Sequence, residues 1–161
     1  MKKTTKKLAM GAGALLTASG SFILGRKLAG DAADEERMYA EKHLAIIKVF
    51  NQWMIARQEG KSVADYLKEY GYKTVAIYGM SYLGERLYDE LRNSGIEVKY
   101  AIDRNAEGIC TELDVYTPED DLPEVDLIIV TAVYYYDEIE EMLGDMVDCV
   151  ISSLEDIVYE M

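Results

Sequence analysis

Apolar residues change their period along this chain. Between Asp31 and Gln58 they recur at helical spacing: Leu44, Ile47, Phe50 and Met54 stand 3, 3 and 4 residues apart, and Ile46 and Trp53 widen the stripe. The spacing predicts a helix that Gln58-Glu59-Gly60-Lys61 breaks. Ser62 then opens a short helix, with Asp65 three residues on as a capping-box acid and Gly71 as its stop. From Lys73 the pattern alternates between strand and helix. Thr74-Val75-Ala76-Ile77-Tyr78 is apolar without alternation, as in a strand buried on both faces. Tyr82 to Ser94 reads as helix, with Leu83, Leu87 and Leu91 spaced by four. Further strands are expected at Val98–Ile102, Val115-Tyr116, Val125–Ala132 and Val147–Ile151, with helices at Asp137–Leu143 and Leu154–Tyr159. This order predicts an α/β fold: a doubly wound parallel sheet of about five strands, order 3-2-1-4-5, preceded by an N-terminal helical region.

The first thirty residues follow a different rule. Leu8 to Gly25 is uncharged and moderately apolar, bracketed by Lys6-Lys7 and Arg26-Lys27. As a helix it would extend roughly 27 Å, enough for a thin hydrocarbon core. A retained anchor, a cleaved signal peptide and a surface-lying helix all fit; Arg26 and Lys27 sit badly for cleavage. Three segments are therefore expected: a basic, apolar anchor or targeting segment at 1–30, a helical region at 31–72, and the α/β domain at 73–161.

Charge sharpens that division. Residues 1–30 carry six basic side chains and no acid, whereas residues 31–161 carry eleven basic against thirty acidic, a net −19. A body this acidic repels phosphate backbones, which excludes general nucleic-acid binding. The composition, 50% hydrophobic and 29% charged with 2 Pro and 2 Cys, excludes disorder and a disulfide scaffold.

The most informative stretch is Gly79-Met80-Ser81-Tyr82-Leu83-Gly84. A buried strand runs into Gly79, and Gly84 falls in the first turn of the next helix. This is the spacing of Gly-x-Gly-x-x-Gly with Ser81 at the second glycine position. The chemistry needs a tight turn, then free backbone N–H groups and a positive helix end facing a diphosphate. Ser81 crowds the closest approach, though its hydroxyl offers a donor. Asp103 ends the second strand 19 residues after Gly84, where an acid accepts from ribose hydroxyls and disfavours a 2′-phosphate. Arg104 pulls the other way, as a guanidinium able to stack on adenine or meet a phosphate.

Residues about 73–159 resemble the NAD(P)-binding Rossmann-like domain, as in nucleotide-sugar epimerases and dehydratases of polysaccharide synthesis. The matching words are Val75-Ala76-Ile77-Tyr78-Gly79, Leu83-Gly84, Tyr100-Ala101-Ile102-Asp103 and Val125-Asp126-Leu127-Ile128-Ile129-Val130-Thr131. The resemblance implies cofactor contacts at Gly79, Ser81, Gly84 and Asp103, and more loosely at Thr131 and Ala132. Met80, Tyr82, Leu83 and Arg104 are expected to complete the cofactor-binding set. NAD is the implied cofactor, ahead of NADP.

Catalytic groups do not accompany the fingerprint. None of the 13 tyrosines has Lys four residues on, so the Tyr-x-x-x-Lys pair of the epimerases is missing; Tyr82 and Tyr100 meet Arg86 and Arg104 there. Gly79-Met80-Ser81-Tyr82-Leu83 lacks the second Gly of a nucleophile elbow, and Gly84-Glu85-Arg86 lacks the Lys-Ser/Thr of a P-loop. One His and two separated Cys make no zinc site, and His43 reads as a packed helix residue. Glu119-Asp120-Asp121 reads as a solvated acidic run rather than a metal site. Tyr134-Tyr135-Tyr136 follow the fourth strand, where they would flank a ligand or cover the sheet edge.

The expected function is thus a dinucleotide or nucleotide-sugar binding module without catalytic residues of its own, alongside cell-surface polysaccharide synthesis. The alternatives are a nucleotide-sugar-modifying enzyme or enzyme subunit, and a membrane-tethered interaction protein with a ligand-free fold. A membrane through residues 8–25 and a protein through helix 34–58 are the other expected partners. The lysines before the apolar run favour placing the acidic domain outside, and the cytosolic supply of nucleotides favours the inside. A shallow insertion, its cations meeting anionic lipid at roughly 1 kcal/mol each, reconciles them with a cytoplasm-facing domain.

Overall fold

The computed structural model describes the backbone of residues 9–161 and side chains from residue 33 onward. Five parallel strands form one sheet in the order β3-β2-β1-β4-β5: β1 Thr74–Tyr78, β2 Glu97–Ile102, β3 Val115–Tyr116, β4 Leu127–Val130 and β5 Val150–Ser153. The α-helices are α1 Ala9–Gln58, α2 Val63–Glu69, α3 Tyr82–Leu91, α4 Tyr136–Gly144 and α5 Leu154–Glu160. The expected α/β class and strand order are those observed. The anchor expected at residues 8–25 lies outside the described side chains. Among the described residues no helix is long and apolar enough to cross a membrane.

Two compact units divide the chain at His43/Leu44. Within the first, Arg37 pairs with Glu41 at 2.8 Å, and His43 donates its Nδ1–H to the Tyr39 carbonyl at 2.7 Å with the two rings in contact. The second unit, Leu44 to Met161, holds the sheet. Its larger core cluster joins Val49 and Trp53 of α1, Val63 and Leu67 of α2, and Leu83, Leu87 and Leu91 of α3. Leu154, Ile157 and Val158 of α5 complete it over Val75, Ile77, Leu127 and Ile129. The opposite cluster gathers Ala76, Tyr78, Tyr100, Ile102, Ile128 and Val130 under Ile139 and Leu143 of α4.

Local signals explain most boundaries. Ser62 accepts from the Asp65 amide at 3.0 Å and its hydroxyl donates to the Asp65 carboxylate at 2.6 Å, closing α2 at its start. Asp126 takes the amides of Lys73 and Thr74, both at 2.8 Å, and so aligns the starts of β4 and β1; these bonds hold its carboxyl below the usual range. Glu90 of α3 accepts from Val63 N–H at 2.7 Å and Trp53 Nε1–H at 3.1 Å, pinning α1 and the start of α2 with one carboxylate.

Some boundaries differ from expectation. The helix expected to reach Ser94 stops at Leu91, where Ser94 turns its hydroxyl back onto the Leu91 carbonyl. The fifth strand starts at Val150 rather than Val147, and pairs Ser152 and Ser153 with Ile129 and Val130. The helical stripe on α1 splits between two faces. Val49, Trp53 and Ala56 turn into the core, while Leu44, Ile47 and Met54 stand in solvent.

Candidate functional site

The carboxyl edge of β1 places the candidate residues. Gly79 follows Tyr78 with φ +92°, a left-handed conformation that favours glycine. A Cβ there would sit 3.0 Å from Thr131 Oγ1. One built on Gly84 would overlap the Gly79 carbonyl oxygen, so the first turn of α3 rests directly on the strand end. Thr131, buried at the end of β4, locks this contact by donating to the Gly79 carbonyl at 2.6 Å. Gly79 N–H donates to Ile102 O at 2.8 Å, tying the turn to β2.

Ser81 and Tyr82 are exposed, whereas Met80, Leu83 and Gly84 are buried. Met80 and Leu83 send their side chains into the larger core cluster, which leaves their backbone as the part able to meet a ligand. Ser81 is the N-cap of α3 but makes no side-chain hydrogen bond to the first turn, so the leading amides are without a side-chain cap. Asp103 is half-buried. Its Oδ2 accepts from Met80 N–H at 3.0 Å and its Oδ1 from Asn105 N–H at 2.9 Å. Each oxygen keeps a further lone pair, so the carboxylate is oriented by the protein and retains acceptor capacity.

Tyr78 was not singled out by its sequence position, yet it is the anomalous residue here. It is 4% exposed, and its hydroxyl is buried without a hydrogen-bond partner. Burial raises its pKa above the ordinary tyrosine value, and the nearby Arg104 guanidinium opposes that rise without reaching hydrogen-bond geometry. The only sequence signal was a tyrosine closing an otherwise aliphatic strand. Arg104 itself is exposed beside Asp103.

Other candidates fall elsewhere. Ala132 is half-buried and starts the 3₁₀ turn Val133–Tyr135. Tyr134 and Tyr135 meet edge to face. Tyr136 turns its hydroxyl to Glu140 at 2.8 Å and the Ile151 carbonyl at 3.3 Å, and burial holds it protonated beyond the ordinary tyrosine range. Asp120 accepts from Thr117 at its amide (2.6 Å) and its hydroxyl (2.9 Å), which makes the acidic run a turn. No group of three or more His, Cys, Asp or Glu is placed to hold a metal among the described residues. Cys110 and Cys149 are free thiols. A groove of about 450 Å³ opens beside Met80 along α3, bordered by Arg86, Tyr88, Arg92, Ile109 and Cys110; Arg86 is paired with Asp89 at 3.1 Å.

Sheet order, all-parallel pairing and the glycine turn after β1 define a Rossmann-like α/β arrangement. Compared with known families and with curated proteins, the chain matches no family model and no individual relative.

Proposed function

We propose that the turn from Gly79 to Gly84 seats the diphosphate of a dinucleotide or nucleotide-sugar, and that this chain is a binding module without catalytic groups of its own. The observation that carries the reading is the contact between Gly84 and the Gly79 carbonyl, which brings an uncapped helix start against the edge of β1. Asp103, held by two amides, would accept from a ribose diol, which favours NAD over NADP. Membrane association through residues 8–25, with the acidic domain on the cytoplasmic side near polysaccharide synthesis, belongs to the same proposal.

Isothermal titration with NAD, NADP, UDP-sugars and S-adenosylmethionine tests it directly. Replacing Gly84 is a poor control, because any side chain there strikes the Gly79 carbonyl and distorts the turn. Ser81→Asp is cleaner. A carboxylate at an N-cap stabilises a helix, yet it would repel a phosphate at the same place. The expected result is a raised melting temperature with binding lost. Absence of binding by the folded parent chain at millimolar ligand would remove the proposal and favour a ligand-free interaction protein.

A further inference from the structure

The face of α1 turned away from the sheet carries a second apolar stripe. Leu44 is 51% exposed, Ile47 62%, Met54 59% and Ile55 40%, with exposed Asn51 in their midst. Leu44, Ile47, Asn51, Met54 and Gln58 follow one another at 3, 4, 3 and 4 residues, the a/d spacing of a coiled-coil seam. Residues 44–58 contain Lys48 and Arg57 but no acid, whereas the unit they belong to carries nine basic and twenty-five acidic side chains. We propose that a second copy of this chain covers this face, the two segments 44–58 pairing in parallel and in register.

Three observations select that occupant and that orientation. The four exposed apolar side chains present roughly 400 Å² per copy. With the polar rim that usually surrounds such a patch, two copies would bury about 1,300 Å² in all, within the range of stable interfaces. Asn51 selects the direction. In a parallel seam it meets its own counterpart, and the two amides satisfy each other; a lone Asn at such a position is a known determinant of register and pair number. In the antiparallel seam that matches the same stripe, Asn51 faces Ile47 of the second copy, and two amides are buried without partners. Lys48 agrees: the antiparallel arrangement sets both lysines together beside the two-fold axis, and the parallel one places them on opposite flanks of the seam. The acidic bodies repel each other at a distance, so the pair holds through its apolar seam and tightens as salt screens that repulsion.

Sedimentation of the full chain over roughly 1–100 µM tests the pairing. A monomer–dimer equilibrium that tightens between low and high salt is expected. Leu44→Glu combined with Ile47→Glu should weaken it at least about 100-fold, since each seam would bury four carboxylates. Both residues are solvent-exposed, so circular dichroism and the fluorescence of the single Trp53, buried on the opposite face, should not change. Direction is read by oxidation in a Cys110→Ser, Cys149→Ser background: Asn51→Cys should close a disulfide with itself. A monomer throughout, a dimer that survives the double Glu variant, or a pair that weakens with salt would overturn the proposal. So would preferential cross-linking between Leu44→Cys and Met54→Cys chains, the antiparallel outcome.

Discussion

On one face of the sheet, side chains from α1, α2, α3 and α5 close over Val75, Ile77, Leu127 and Ile129. On the other, α4 covers Ala76, Ile128 and Val130, and tyrosines with a loop complete the cover. The asymmetry has a simple origin. The connection from β3 to β4, residues 117–126, contains no helix. Leu122 and Val125 of that loop pack where a helix would otherwise lie, and Tyr100 fastens it by donating to the Pro123 carbonyl at 2.7 Å. The thick face is mostly aliphatic, with Trp53 set into it, while the thin face draws on Tyr78 and Tyr100 at its centre. Among the described residues, the Tyr78 hydroxyl is the buried side-chain atom without a polar partner.

Leu87→Ala, fully buried beneath the helical cover, should cost about 3 kcal/mol in chemical denaturation. Leu143→Ala on the thin face should cost measurably less, because a loop roof relaxes into a cavity more readily than four packed helices. Equal losses would show that the two faces are equally rigid. Glu90→Ala should follow at about 2 kcal/mol, since it strips partners from Val63 N–H and Trp53 Nε1–H together. Trp53 fluorescence reports it directly, and Glu90→Gln should recover part of the loss.

Tyr100→Phe should cost about 1 kcal/mol at neutral pH by releasing the Pro123 loop. Burial, aided by Cys149 and Tyr116, pushes the Tyr100 hydroxyl up from 10.0 to about 12. The unfolded chain therefore loses this proton first, and stability falls as pH rises from about 10 through 12. Tyr100→Phe should flatten that alkaline decline in melting temperature. The smallest effect has the opposite sign. Tyr78→Phe removes an unpartnered buried hydroxyl and should stabilise the ligand-free chain by up to about 1 kcal/mol. If a ligand accepts from that hydroxyl, the same substitution should weaken its binding, a reversal that titration calorimetry reads.

Much of the fold was legible because both-face burial leaves little ambiguity in a parallel strand. Thr74–Tyr78 and Leu127–Val130 are uninterrupted apolar runs, and they sit at the sheet centre. The edge was harder to read: β5 uses Val150 to Ser153, whose serines carry no apolar signal, so the earlier Val147 and Cys149 drew the boundary forward. On α1 the periodicity was real but two-sided. A helix with apolar residues on both faces does not reveal which face meets the core, and Trp53, rather than Leu44 or Ile47, proved the inward marker. At the candidate site, the need for glycine at positions 79 and 84 was readable from spacing. The Asp103 bond to the Met80 amide and the isolation of the Tyr78 hydroxyl were not, because both depend on how two strand ends are set side by side.

The central position of β1 also shapes how the chain reaches its native state. Its pairing partners are β2, nearby in sequence, and β4, which leaves the ribosome much later. At the usual pace of synthesis the roughly 50 intervening residues take about 3–10 s, during which one edge of Thr74–Tyr78 stays open. That edge is short, largely apolar and uncharged, the kind of segment that recruits other nascent chains. The same connectivity that makes a compact doubly wound sheet therefore creates a window of vulnerability on the way to it, and slowing translation beyond Ile102 should lower the soluble yield.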